Sequence, residues 1–276
     1  LCFNYNQSTS FGELLVMAFT LVPLGFVGFF GFPILGGTDD ADTIFLSPGQ
    51  ASNTEILLLA GNDSLQAPNI NDPVLANGNR GNDTMSGGVN RDTLFGGTDE
   101  DRIFANSGQD EIFGNLGDDI LEGGFDGDAI YGGQDDDELF GDEGNDTLFG
   151  DRGNDILDGD GGVDDLINGE GDDIFIFDPG ESSRDFQNVD AIFNGFIGGN
   201  NRLVGDKIAV PSRLFNEIDP LTLERNFDAN GDNNLDIAIQ LSDGRFLGVL
   251  IDDGTLPDRL VLDLDFIFDD SFDFNL

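Results

Sequence analysis

The chain of 276 residues has no histidine, one cysteine, and only 11 lysines and arginines against 55 aspartates and glutamates, for a formal net charge of −44. Without histidine there is no Ser-His-Asp triad, no Cys-His dyad and no histidine-bound catalytic zinc. The lone Cys2 excludes an internal disulfide framework. The acidic excess makes nucleic acid and anionic membrane surfaces poor partners and cations good ones. Paired carboxylates could in principle cleave glycosides, but no pair stands out among 55 acids and no separate catalytic domain is visible. The sequence therefore reads as non-enzymatic.

What the chain has in abundance is one period. An aspartate recurs every nine residues, eleven times in phase: Asp83, Asp92, Asp101, Asp110, Asp119, Asp128, Asp137, Asp146, Asp155, Asp164 and Asp173. Two residues after each stands an apolar side chain, from Met85 and Leu94 through Leu166 and Phe175. Four and two residues before each, only Gly, Asn or Asp occurs, the residue types that tolerate a left-handed backbone. The fondness of aspartate for turns explains the composition but not an unbroken phase of inward apolar residues.

Nine residues divide into a six-residue turn, such as Gly132 to Asp137, and a three-residue strand, here Glu138-Leu139-Phe140, whose middle side chain points inward. A strand this short buries nothing alone, so successive strands must alternate between two sheets and eighteen residues must form one coil of a parallel solenoid. The fold class expected is all-β: a parallel β-roll with a non-repetitive, β-rich C-terminal cap. Its regular part would be a rod roughly 26 Å long at a strand spacing of about 4.8 Å.

That coil sets Asp83, Asp101, Asp119, Asp137, Asp155 and Asp173 in one column and Asp92, Asp110, Asp128, Asp146 and Asp164 in another. Stacked carboxylates repel, so a cation is expected between them. Carboxylates and carbonyls of tight turns are hard oxygen donors that suit Ca²⁺, whereas zinc and copper prefer imidazole or thiolate. Pairs eighteen apart give nine inter-coil sites, and nine Ca²⁺ would move the charge from −44 to −26. Self-repulsion should keep the metal-free repeats unfolded, which makes calcium binding and folding one equilibrium.

The segment Gly87-Gly88-Val89-Asn90-Arg91-Asp92-Thr93-Leu94-Phe95 and its companions over residues 78 to 176 resemble the nonapeptides of the RTX, or haemolysin-type, calcium-binding proteins. The resemblance implies a parallel β-roll, calcium held by the sixth-position aspartate and turn carbonyls, and type I secretion through an uncleaved C-terminal signal. Ala105 and Asn168 depart from the pattern by replacing its first glycine, and Asn90, Asp99, Asp126 and Asp135 by replacing its fourth-position glycine.

Outside the repeats, Leu14 to Leu35 is a run of 22 uncharged residues, long enough to span a bilayer. Pro23, Pro33 and several glycines weaken it as a helix, and no Lys or Arg precedes Arg80 to orient it. A signal peptide fits badly for want of a basic leader. The third reading is that this Phe/Gly-rich segment packs on protein. A candidate surface is the column Phe95, Phe113, Tyr131, Phe149 and Ile167 on one sheet, because the matching column of the other, Ser86, Phe104, Glu122, Phe140, Asp158 and Ile176, is broken by charges.

Before the regular roll, Asp42-Thr43-Ile44, Asp63-Ser64-Leu65 and Asp72-Pro73-Val74 read as degenerate repeats in irregular first coils. After residue 178 the period vanishes, and Leu235 to Leu241 and Phe246 to Ile251 read as strands joined by a turn at Ser242 to Arg245. Asp228, Asn230 and Asp232 space oxygen side chains as an EF-hand-like loop does, a second candidate calcium site, although the glycine is misplaced. Residues 260–276 resemble the acidic-apolar tails read by type I exporters.

The organisation expected is thus an apolar segment at 1–35, irregular coils at 36–77, the roll at 78–178 and the cap with a secretion signal at 179–276. The leading function is a secreted bacterial calcium-binding structural or surface protein. It would self-assemble as a homo-oligomer through residues 11–35 and the Phe95/Phe113/Tyr131/Phe149 face. The alternatives are a non-catalytic polysaccharide-binding module and a membrane-associated, toxin-like fragment.

Overall fold

The computed structural model describes residues 20–21, 34–48, 55–67, 70–177, 189–193, 206–218, 237–251 and 266–268. Two long sheets of twelve and ten strands run side by side, and from Ile34–Gly36 to Lys207–Val210 consecutive strands alternate between them. Across the regular repeats the neighbours in each sheet are parallel and eighteen residues apart: Glu111 pairs with Ala129 and Thr93 in one, Leu121 with Leu139 and Ile103 in the other. This is the expected β-roll. No helix among the described residues is long and apolar enough to cross a membrane.

The alternation of burial follows from the pleat. Met85, Leu94, Ile103, Ile112, Leu121, Ile130, Leu139, Leu148, Leu157, Leu166 and Phe175 are all fully buried between the sheets. Each contributes about 1.5–3 kcal/mol relative to an exposed side chain. One continuous apolar column therefore links every coil to the next, which is how strands that are individually too short become stable.

The strands are longer than the three residues expected. Strands such as Glu111–Leu116, Ala129–Gln134 and Glu138–Glu143 span six residues, because pairing continues round the corner: Asn115 meets Gly133 and Leu116 meets Gln134. Successive turns there have the same backbone, so their amides and carbonyls stay in register. The bend is made by left-handed residues: φ is 80° at Asn115, 121° at Gly133 and 77° at Asp135, as the restriction to Gly, Asn and Asp requires. Strands at less regular places, such as Thr43–Phe45, Ser64–Gln66 and Ile174–Ile176, keep three residues.

The roll continues beyond the strict period at both ends. Thr43–Phe45 pairs with Ser64–Gln66, and that strand with Thr84–Ser86, so the repeats at Asp42 and Asp63 belong to the sheet. The third degenerate repeat is corrected. Leu75 pairs with Thr93 and Ala76 with Leu94, which puts Val74, not Asp72, in the aspartate's place. Residues inserted ahead of Val74 shift the phase by two. At the other end Ala191–Phe193 and Lys207–Val210 add parallel rungs. The expected hairpin forms between Ile237–Gln240 and Phe246–Ile251, with Gly244 at φ 86°, but its second strand also pairs in parallel with Ala191–Phe193. The cap thus extends the sheet as well as covering it. Phe177 packs so closely on Gly248 that a methyl there would lie 2.4 Å from its ring.

On the outer face of the twelve-stranded sheet, Phe95, Phe113, Tyr131 and Phe149 form a pile. Their ring centroids are 4.8, 4.8 and 4.6 Å apart and their planes lie within 10° of parallel. The rings cover one another's faces and each is half-buried, so the column is less open than the sequence implied. The charged column of the other sheet is also as expected, with Phe104, Glu122, Phe140 and Asp158 in register. Residues 22–33, the loop carrying Asp228, Asn230 and Asp232, and most of the 260–276 tail lie outside the described residues.

Candidate metal centre

The corners of the roll hold the aspartates. The strand after each one fixes its backbone, and the left-handed turn before it folds the side chain inward, so all eleven are buried, none more than 3% exposed. They do stand in the two columns expected, and a specific bond joins the rungs. The backbone N–H of Asp83 donates to Oδ1 of Asp101 at 2.7 Å, Asp101 to Asp119 at 2.7 Å, Asp119 to Asp137 at 2.9 Å, and so on to Asp155 and Asp173. The second column does the same from Asp92 through Asp110, Asp128 and Asp146 to Asp164, at 2.6–2.8 Å. One oxygen of each carboxylate therefore joins coil to coil with no metal.

The other oxygen is different. Oδ2 of Asp83, Asp101, Asp110, Asp119, Asp128, Asp137, Asp146, Asp155, Asp164 and Asp173 is buried with no hydrogen-bond partner. An unpaired buried carboxylate oxygen costs several kcal/mol unless a positive group meets it. The surroundings show the strain. Burial, partly offset by the backbone N–H and aggravated by neighbouring carboxylates, pushes the carboxyls up from 3.8 to about 7 at Asp83, about 8 at Asp101 and about 9 at Asp137. Asp164 is raised as well, by burial and then by the Asp190 carboxylate against it.

At Asp83, Asp101, Asp119, Asp128, Asp137, Asp146 and Asp155 the orphaned oxygen faces a carbonyl across a space that glycine keeps open. A methyl group on Gly96 would lie 2.5 Å from Oδ2 of Asp101 and 2.8 Å from the carbonyl oxygen of Gly114. On Gly114 it would lie 2.4 Å from Asp119 and 2.6 Å from the Gly132 carbonyl, and on Gly132 2.4 Å from Asp137 and 2.8 Å from the Gly150 carbonyl. Gly123, Gly141 and Gly150 repeat the arrangement. Calcium takes oxygen ligands at about 2.3–2.6 Å, so this pairing of carboxylate and carbonyl is the donor set it accepts. No group of three or more His, Cys, Asp or Glu side chains converges among the described residues. A site here must use main-chain oxygen, which disfavours zinc and copper.

Further members lie off the count of nines: Asp42 and Asp63, read as degenerate repeats, and Asp190 and Asp206, which the count missed. Asp42 donates its N–H to Oδ1 of Asp63 at 2.6 Å and Asp63 to Asp83 at 2.7 Å, while Asp164 donates to Asp190 at 3.0 Å and Asp173 to Asp206 at 2.9 Å. Their spacings run from 20 to 33 residues, so a fixed period passes over Asp190 and Asp206. The signal was an aspartate followed two residues later by Ile or Leu, which all four share.

The sequence model of the RTX calcium-binding nonapeptide repeat matches the chain in four copies, over residues 77–112, 104–139, 113–148 and 140–175. No curated protein matches the chain. RTX repeats bind Ca²⁺, and the ladder of buried aspartates fits that ion. Residues 77–175 are an array of RTX calcium-binding nonapeptide repeats folded as a parallel β-roll.

Proposed function

We propose that the chain is a secreted bacterial protein of structural or surface role that folds when calcium enters its corners and then associates with copies of itself. The carrying observation is the row of orphaned Oδ2 atoms, seven of which, from Asp83 to Asp155, face a carbonyl across a glycine. Asp83, Asp101, Asp110, Asp119, Asp128, Asp137, Asp146, Asp155, Asp164 and Asp173 would hold the ions together with carbonyls such as those of Gly96, Gly114, Gly132, Gly141 and Gly150. Bound calcium supplies positive charge where burial has left carboxylates uncompensated. The chain's own residues then do the rest: Oδ1 bonds the preceding rung, and the inward Leu or Ile packs on the next.

Secretion is supported by composition. RTX repeats are typical of secreted bacterial proteins, and millimolar extracellular calcium would fold a chain of net charge −44 that the low calcium of a cytosol would leave open. Association is supported by the aromatic pile, which leaves a row of ring edges on one face, and by the uncharged Phe-rich segment at residues 11–35. The missing histidine supports a non-catalytic role.

A calcium titration followed together by circular dichroism and light scattering tests the reading. It expects β-structure to appear with calcium and particle size to grow after it. Ordered β-structure that survives exhaustive chelation at neutral pH would refute the folding half, and a chain that stays monomeric in millimolar calcium the association half.

A second reading is favoured by one observation. Beside the pile runs a groove of about 870 Å³ whose lining includes Asn77, Asn115, Gln134 and Arg152 with Phe95 and Phe149. Amide side chains along an apolar floor suit a polysaccharide, although stacking uses most ring faces and leaves sugars mainly edges. Glycan pull-down in calcium separates the two readings.

A further inference from the structure

Among the described residues, the carboxylates at three ends of the two columns differ from those within them. Oδ2 of Asp42, first of its column, accepts from the backbone N–H of Thr38 at 2.6 Å and from its hydroxyl at 2.8 Å. Oδ2 of Asp92, first of the second column because Val74 occupies the rung before, accepts from the N–H of Gly88 at 2.6 Å. Oδ2 of Asp206, last of the first column among the described residues, accepts from the side-chain amide of Asn168 at 3.1 Å. Between these ends, Oδ2 of Asp63 and of ten further aspartates has no hydrogen-bond partner, although at Asp173 the Asn168 amide is near enough to draw the carboxyl down against its burial.

Asn168 carries the argument furthest. It stands where nine of the eleven repeats have glycine, at the point where a methyl would crowd the next carboxylate and carbonyl. Here the position is filled, and the residue that fills it brings two N–H donors to a carboxylate in a buried corner. The amide supplies what the interior rungs lack.

We propose that Thr38, Gly88 and Asn168 are the stops of the calcium ladder: their donors take the place of the ion at the terminal carboxylates, so calcium occupies only the rungs between them. This rests on the reading of the interior rungs as calcium sites. A ladder closed in this way presents no half-built site at these three ends, and in the first column the C-terminal rung seats on the last coil through protein bonds. The Asp173 N–H to Asp206 bond and the Asn168 amide act as one clamp.

The test counts calcium per chain on the full-length protein by native mass spectrometry after equilibration in saturating calcium. Asn168→Asp keeps the shape but exchanges the donors for an oxygen, and it is expected to bind one ion more than wild type. Hydrogen exchange over residues 206–210, low at all calcium concentrations that keep the wild-type roll folded, should become calcium-dependent in this variant with its own midpoint. Asn168→Leu, which has neither donor nor oxygen, should bind the wild-type number and exchange at least 10-fold faster over 206–210. An unchanged count in a folded Asn168→Asp protein overturns the proposal. So does the loss of one ion in Asn168→Leu, which would make Asn168 a ligand, and that count decides the matter if Asn168→Asp does not fold. A wild-type chain that binds no calcium would instead refute the interior sites.

Discussion

Gly114 leaves room for Asp119: any side chain on the glycine would stand 2.4 Å from Oδ2 of that aspartate and 2.6 Å from the carbonyl of Gly132. The glycine is thus part of the site although it contributes no ligand from a side chain. Gly114→Ala should displace the carboxylate or the carbonyl, cost about 1–3 kcal/mol in saturating calcium as an overpacked corner does, and raise the calcium midpoint of folding several-fold. Ala105 is the natural counterpart, a side chain at the equivalent position before Asp110. Ala105→Gly should tighten calcium at that rung even though it adds about 0.5–1 kcal/mol of chain entropy to the cost of folding. Circular dichroism during calcium titration reads both, and a Gly114→Ala midpoint equal to wild type would contradict the geometry.

Asp137 should show a reversal of sign. Its carboxyl is raised to about 9, first by burial and then by Asp119 and Asp155 above and below it. Asn is nearly isosteric, keeps an oxygen for the Asp119 N–H and can donate its amide toward the Gly150 carbonyl. Asp137→Asn should therefore retain more β-structure than wild type in chelator, by about 1–3 kcal/mol for one satisfied buried group. In calcium it should bind one ion fewer and be less stable. Paired denaturation curves with calcium and with chelator check both signs at once.

How much of this was legible depends on the residue. The phase of Asp83 to Asp173 and of the apolar residues two positions on fixed the coil, the two columns and the inward face, because side-chain direction in a strand is a matter of parity. Asp190 and Asp206 were not legible, since insertions of 8 and 15 residues beyond the eighteen-residue coil hide their place and only three-dimensional pairing restores it. Val74 shows the opposite error: Asp72 had the right chemistry and the wrong phase. The column Phe95 to Phe149 could be read as a line of aromatics, but whether rings lie flat or pile up depends on χ angles that sequence does not carry. The stops at Thr38, Gly88 and Asn168 are hydrogen-bond geometry, and Asn168 showed in the sequence only as a departure from the repeat.

Acid should substitute for calcium. The ladder carboxyls titrate near 3.8 when the chain is unfolded but at about 6 for Asp92, about 7 for Asp119 and about 8 for Asp128 when it is folded. Raised acid pKa values mean that the metal-free fold binds more protons than the unfolded chain. Its stability is then fullest below about pH 4 and is lost as pH rises through the range 6 to 9. With calcium the sign inverts, because protons compete for the same oxygens and binding weakens as pH falls. Far-ultraviolet circular dichroism should find the fold insensitive to chelator near pH 4 and strongly dependent on calcium at pH 8. Equal sensitivity at both would mean that burial of these carboxylates does not oppose folding.

Tyr131 separates the aromatic pile from the calcium ladder. It sits between Phe113 and Phe149, with planes within 6° and 4° of theirs, on the outer face of a strand whose inner face carries Ile130. Tyr131→Ala breaks two stacked contacts of about 0.5–1.5 kcal/mol each, so stability in calcium should fall by about 1–3 kcal/mol. The number of ions bound should not change, because the ladder lies at the corners and not on the face. If the same face also joins one copy to another, association should weaken by more than the loss of stability explains, since both copies would lose the contact. Thermal unfolding, an ion count and light scattering on one preparation separate these effects, and a loss of calcium on removing Tyr131 would show that pile and ladder are coupled through the strand between them.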